Sequence, residues 1–141
     1  MVHVKTIKVR GYHCDFYGHV NNARFLELLE EARWSYLEDS LDLAKWKEQK
    51  LGIVVASLTI NYRRPAPVDI VLEIRSTVGE MGAKTGVIHQ EVFNQGTGKL
   101  VADADVTFAV VDTQTGRAVP MTGEVRAVFE APPSGNGSAG L

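Results

Sequence analysis

The stretch at residues 23–39 restricts the fold of this chain more than any other, because it holds no glycine or proline and is apolar around most of its circumference. At 100° per residue, Arg24, Glu27, Glu31, Ser35 and Glu38 fall in one narrow polar stripe. Phe25, Leu26, Leu28, Leu29, Ala32, Tyr36 and Leu37 cover most of the remainder. A helix with so narrow a wet face has to be wrapped by other elements. Arg33 and Glu30 lie in or beside the apolar arc three residues apart, close enough to pair. Asn21 and Asn22 stand where the helix needs an N-cap.

The wrapping material is read as strands. At residues 5–11, Ile7 and Val9 alternate with Lys8 and Arg10, the period of a half-buried strand. Continued alternation would put His13 and Asp15 on the face of Ile7 and Val9, unless Gly11 carries a bulge that resets it. Ser40 is placed to cap a second, shorter helix through Leu43, Ala44 and Trp46, ended by Gly52. Val54, Ala56, Leu58, Ile60 and Tyr62 then alternate, RRPAP breaks the chain, and Val68, Ile70, Leu72 and Ile74 alternate with Asp69, Glu73 and Arg75. KTGVIHQEVFN reads as another strand, NQGTGK as a hairpin turn, and KLVADADVTFAVVD as a strand with Ala102, Ala104, Val106, Phe108 and Val110 facing the core. TQTG is a turn, and TGEVRAVFE is a short helix or an irregular segment. APPSGNGSAGL, residues 131–141, has the composition of a disordered tail. No internal repeat occurs. The layout expected is α+β, with an antiparallel sheet curled around one helix.

With 141 residues, 45% of them hydrophobic, the chain has material for one core, so residues 1–130 are read as a single domain. Lysine plus arginine number 15 against 17 aspartate plus glutamate, interspersed, which argues against a nucleic-acid groove and for a small-molecule partner. One cysteine, Cys14, and an N-terminus without an apolar stretch point to the cytoplasm. The apolar runs fall well short of the ~20 residues needed to span a membrane, so no membrane segment is expected.

Asp15 lies seven residues ahead of Asn22, the asparagine-led helix start. Helix N-termini present N–H groups without intrahelical partners and a partial positive charge, so they suit an oxyanion or phosphate. A carboxylate held beside such a group can activate water against a carbonyl. The plainer reading of Asp15 is a turn residue making an Asx-type bond, and of His19 a structural donor in a loop. Cys14 is read as packing, since nothing pairs it with an imidazole. His3, His13, His19 and His89 show no ligand spacing, so no metal is expected.

The segment VRGYHCDFYGHVNNARFLELLEEARW, with the later NYRRPA and VADADVTF, resembles the hotdog-fold acyl-CoA thioesterases, over residues 4–130. Within them it is more similar to the long-chain acyl-CoA thioesterase III branch than to the hydroxybenzoyl-CoA branch. The resemblance implies a five-stranded antiparallel sheet wrapped around one long central helix, and a homodimer or homotetramer with active sites at the interface. It implies that Asp15 is the catalytic carboxylate, as general base or as nucleophile, and that the backbone N–H near Asn22 polarises the thioester carbonyl. His19 is a further candidate for orienting water or the carbonyl. Lys84 and Thr85 match a position that contacts the phosphates of coenzyme A. The chain departs from the hydroxybenzoyl-CoA branch by carrying Gly82 and Ala83 where that branch has two arginines, which makes Arg63 and Arg64 alternative phosphate contacts. The expected reaction is hydrolysis of long-chain fatty acyl-CoA without metal or redox cofactor. The rivals are an acyl carrier protein thioesterase, a catalytically silent acyl-CoA-binding domain and a hotdog hydratase.

Overall fold

In the computed structural model, which describes residues 2–130, a nineteen-residue helix α1 (Asn22–Ser40) lies against a five-stranded antiparallel sheet. The tail expected over residues 131–141 lies outside the described residues. The strands are β1 (His3–Lys8), β2 (Leu51–Tyr62), β3 (Val71–Met81), β4 (Thr85–Asn94) and β5 (Leu100–Asp112), in spatial order β1-β3-β4-β5-β2. Two short helices, α2 (Leu43–Glu48) and α3 (Gly123–Glu130), complete the described chain. Because β2 follows the helices yet pairs only with β5, it closes the far side of the sheet and leaves its outer margin unpaired.

α1 buries Phe25, Leu28, Leu29, Ala32, Tyr36 and Leu37, six of the seven apolar positions expected to face the wrap. It is not covered all round. Leu26 and Trp34 remain 39% and 46% exposed, and Trp34 shares a cleft with Ile53 and Val55 of β2. Arg33 turns to the sheet: its Nη1 donates to Gln90 Oε1 at 3.0 Å, and burial pushes its pKa below the ordinary arginine value against the opposing pull of Glu30. The fully buried Gln90 in turn donates from Nε2 to Leu29 O at 3.1 Å and to Ser76 Oγ at 3.0 Å, so the polar groups under the helix satisfy one another. His3 Nε2 and Asp39 Oδ2, 3.0 Å apart, tie β1 to the last turns of the helix.

The β5 face is as expected, with Ala102, Ala104, Val106, Phe108 and Val110 all buried. The β2 face is not a simple alternation. A bulge between Val55 and Ser57 breaks the register, so Ile53 and Val55 lie opposite the inward Val110 and Phe108, while Val54 lies opposite Ala109 and is 44% exposed. Beyond the bulge, Leu58, Ile60 and Tyr62 lie opposite Val106, Ala104 and Ala102 and regain the inner face. One inserted residue reverses the parity of a strand, and period alone cannot reveal where.

Ser40 ends α1 rather than capping α2, whose N-cap is Asp42, with Oδ1 accepting from Lys45 N at 3.1 Å. Gly52 lies inside β2, not at the helix end. β1 stops at Lys8, and a 3₁₀ turn (Gly11–His13) replaces further alternation, so the facing of Asp15 is set by the loop. Val68 is exposed and precedes β3, separated from it by Ile70 and by Asp69, whose φ of 75° interrupts the extended run. The turns after β4 and β5 share one design. Asn94 Oδ1 accepts from Gly96 N at 3.0 Å and Asp112 Oδ1 from Gln114 N at 2.8 Å. Gly98 and Gly116 close the two turns at φ 73° and 74°, where a side chain would be strained.

Candidate active site

After the 3₁₀ turn the chain makes a small hairpin. Asp15 N donates to His19 O at 2.9 Å and Gly18 N to Asp15 O at 3.0 Å, with Gly18 at φ 77°, a short loop closed by a left-handed glycine. The hairpin is held on both sides. Asn21 N donates to His13 O at 2.9 Å, and Val20 N to Ala66 O at 2.8 Å in the loop that leads from β2 to β3. Inside the turn, Asp15 Oδ1 accepts from Tyr17 N at 2.9 Å. The plain Asx reading is therefore correct for one carboxylate oxygen, and it fixes the orientation of the group. Oδ2 accepts no bond among the described residues, and Asp15 is exposed.

The N-cap of α1 is Asn21, whose Oδ1 accepts from Ala23 N at 2.9 Å; Asn22 is the first helical residue. Its N–H is one of the groups a helix leaves without an internal partner, and it donates to none of the described residues. Its carbonyl accepts from Tyr62 Oη at 2.9 Å.

A cavity of about 510 Å³ joins these groups, lined by Asp15, His19 and Asn22 with Tyr17, Phe25 and Tyr62. Arg63 and Arg64 stand at the same cavity, so five of the seven site residues expected from the sequence meet there. The two arginines differ. Arg63 Nε donates to Asp103 Oδ2 at 2.8 Å, a bond that with Asn61 holds the Asp103 carboxyl below the usual carboxylate range. Arg64 spends only Nη1 on Leu100 O, at 2.7 Å, and its remaining donors make it the freer cation.

Lys84 and Thr85 are elsewhere. They lie at the hairpin between β3 and β4, whereas the site adjoins the other end of β3, where Val9 N donates to Ile70 O at 2.9 Å. The eleven residues of β3 separate the two places by roughly 30 Å at about 3.3 Å per residue. Within one chain these two residues and Asp15 cannot touch the same end of a small ligand.

The sequence leaves Tyr62 unassigned between cavity and core and does not single out Tyr17; the structure places both on the cavity wall. Tyr62 looked like one more apolar position of an alternating strand, and its hydroxyl bond spans forty residues of chain. Tyr17, 78% exposed, carried no local signal beyond lying between Asp15 and His19. Among the described residues no three His, Cys, Asp or Glu side chains cluster to hold a metal ion. No helix among them is long and apolar enough to cross a membrane.

The family model described as the thioesterase-like superfamily matches residues 9–129. The chain belongs to the thioesterase-like superfamily. Among its relatives, the long-chain acyl-CoA thioesterase FadM of Escherichia coli is 44% identical over 124 residues, 88% of this chain and 94% of that protein. The acyl-CoA thioesterase YbgC of Haemophilus influenzae is 32% identical over 126 residues, 86% of this chain and 90% of that protein. The crystal structure of YbaW from Escherichia coli superposes with a TM-score of 0.85 at 43% identity, covering 91% of this chain and 96% of that one. The sheet and helix described above are thus the hotdog arrangement of thioesterase-like proteins, and the Asp15 cavity lies within the matched residues.

Proposed function

We propose that the chain hydrolyses long-chain acyl-CoA to free fatty acid and coenzyme A in the cytoplasm. The observation that carries this reading is the shared cavity of Asp15 and Asn22, where one carboxylate oxygen and a helix-start N–H are both unbonded among the described residues. The Asn22 N–H donates to the thioester oxygen and gains strength as negative charge develops there. Asp15 takes a proton from a water molecule that attacks the carbonyl carbon; the C–S bond breaks, and the proton passes to the departing thiolate. In the alternative route Asp15 itself attacks and expels the thiolate, and water cleaves the resulting anhydride. Label found on Asp15 after a single turnover in oxygen-18 water establishes the anhydride route, with water attacking the Asp15 carbonyl of the anhydride. His19, on the cavity wall, orients the water or the carbonyl.

Arg64, and Arg63 where its pairing with Asp103 permits, meet the nucleotide phosphates from the same chain. Lys84 and Thr85 reach a phosphate only from a second copy, which supports a homodimer or a pair of dimers. The unpaired margin of β2, with Val54 and Val55 at 44% and 48% exposure, is the surface that such a copy covers. FadM, named for long-chain acyl-CoA, supports the choice of substrate.

The test is a thiol-release assay over acyl-CoA of increasing chain length. Release that rises toward long chains is expected. Binding without release at every length would overturn the enzymatic reading in favour of an acyl-CoA-binding domain.

A further inference from the structure

We infer that Tyr62 is a positioning residue: it holds the first turn of α1 at the place where the Asn22 N–H meets the thioester oxygen. The inference rests on the catalytic reading of Asp15 and Asn22 and adds a residue from a different element to it. The bulge between Val55 and Ser57 is what aims Tyr62 inward. Had the parity of Ile53 and Val55 run on unbroken, residue 62 would face away from the helix. Bulges beside active sites commonly re-aim a side chain in this way. Opposite Tyr62 on β5 stands the buried Ala102, whose small side chain leaves the ring room to lie over the start of α1.

Four contacts fix that start. Asn21 is held by His13 O and caps Ala23. Phe25 is buried and meets the Tyr62 ring edge-on, with centroids 5.6 Å apart. Among the described residues outside α1, the Tyr62 hydroxyl, donating at 2.9 Å, is the group that hydrogen-bonds Asn22 itself. The helix bond to the Asn22 carbonyl uses one lone pair of that oxygen, and Tyr62 takes the other. The position of the oxyanion donor is thereby tied to β2, an edge strand of the sheet.

The experiment is a double-mutant cycle of Tyr62→Phe, which removes only the hydroxyl, with Asn22→Pro. Proline is well tolerated at the first helical position and lacks the N–H in question. Tyr62→Phe is expected to lower kcat about five- to tenfold, the scale of one lost hydrogen bond, with KM held within about twofold at every chain length. Asn22→Pro alone is expected to lower kcat about 10²- to 10³-fold, and Tyr62→Phe added to it to cost nothing further. An unchanged kcat in Tyr62→Phe, or an equal loss in both backgrounds, overturns the inference. A loss confined to long chains overturns it too, since that assigns Tyr62 to the acyl cavity wall. Hydrogen exchange at the amides of residues 25 and 26, whose helix acceptors are the Asn21 and Asn22 carbonyls, is the second readout: Tyr62→Phe is expected to speed it, and unaltered exchange sinks the idea whatever the activity. Failure of wild-type protein to release thiol would instead defeat the catalytic reading.

Discussion

Around the first half of α1 the buried core is aliphatic apart from Phe25, with Val9, Leu28, Leu29, Leu72, Ile74 and Ala104 among its members. Around its second half, Tyr36 and Leu37 pack with Trp46, Phe108, Met121 and Phe129. The Phe108 and Phe129 rings lie 4.7 Å apart, and Trp46 meets Phe129 edge-on at 6.3 Å, geometries that favour aromatic pairs. This first end, thin in aromatic rings rather than in apolar contacts, adjoins the cavity and carries a set of directing hydrogen bonds: Tyr17 to Asp15, Ala23 to Asn21, Tyr62 to Asn22. Hydrogen bonds fix direction but contribute little net stability each, whereas buried aromatic surface contributes much and fixes direction less. Along one helix, the directing hydrogen bonds stand at the start over an aliphatic core, and the aromatic cluster stands at the end.

The largest expected effect lies at the thin end. Asp15→Asn should lower kcat by about 10²- to 10⁴-fold, the scale of a lost general base, while leaving the melting temperature in place. Near-wild-type turnover, once mass spectrometry has excluded deamidation back to aspartate, would remove Asp15 from the chemistry and the contrast with it. At the aromatic end, Phe129→Ala should cost about 3–5 kcal/mol of stability in a urea titration. The fraction still folded should keep its kcat. Loss of kcat in parallel would show that the two halves of α1 are not separable.

Lys84→Ala tests whether a residue far from the thin end of its own chain serves that end in another. KM for acyl-CoA should rise about fivefold with kcat nearly unchanged, as for a phosphate contact remote from the reacting bond. A pantetheine thioester lacking the nucleotide should show no change. If both substrates respond alike, the phosphate contact belongs elsewhere, with Arg64 first in line.

The smallest effect concerns pH. Burial, then Arg24 and Arg10, hold the His13 pKa below 6.5, against Glu27, and its Nδ1 accepts from Arg10 N at 2.9 Å. As pH falls below 6.5 the unfolded chain takes up this proton before the folded one, so stability present above 6.5 is lost progressively on acidification. Urea titrations from about pH 7 to about pH 5 should show that decline, less steep in His13→Gln. Equal slopes would mean that His13 has no part in holding the thin end.

What could be read from the sequence was whatever repeats locally. The helix at residues 23–39, the inward set of β5 and the turns led by Asn94 and Asp112 each declare themselves within a few residues. Asp15 and Asn22 were legible because loop and cap lie next to each other in the chain. Tyr62 was not, since its partner is forty residues away and its facing depends on a bulge with no composition of its own. Ser40 and Asp42 are both acceptable caps, and only the packing of α2 decides between them. The separation of Lys84 from Asp15 follows from strand pairing, a property of the whole sheet.

Cys14, the only thiol among 141 residues, immediately precedes Asp15 and is partly exposed, its Sγ 3.7 Å from Arg10 O. It gives the molecule a single covalent handle one residue before Asp15, which lines the cavity. A fluorophore attached there would report on the neighbourhood of the hairpin without a second label to confuse the signal. The same thiol enters the bookkeeping of any colorimetric assay that traps released coenzyme A with a disulfide reagent: each protein chain adds one equivalent, and an enzyme blank has to remove it.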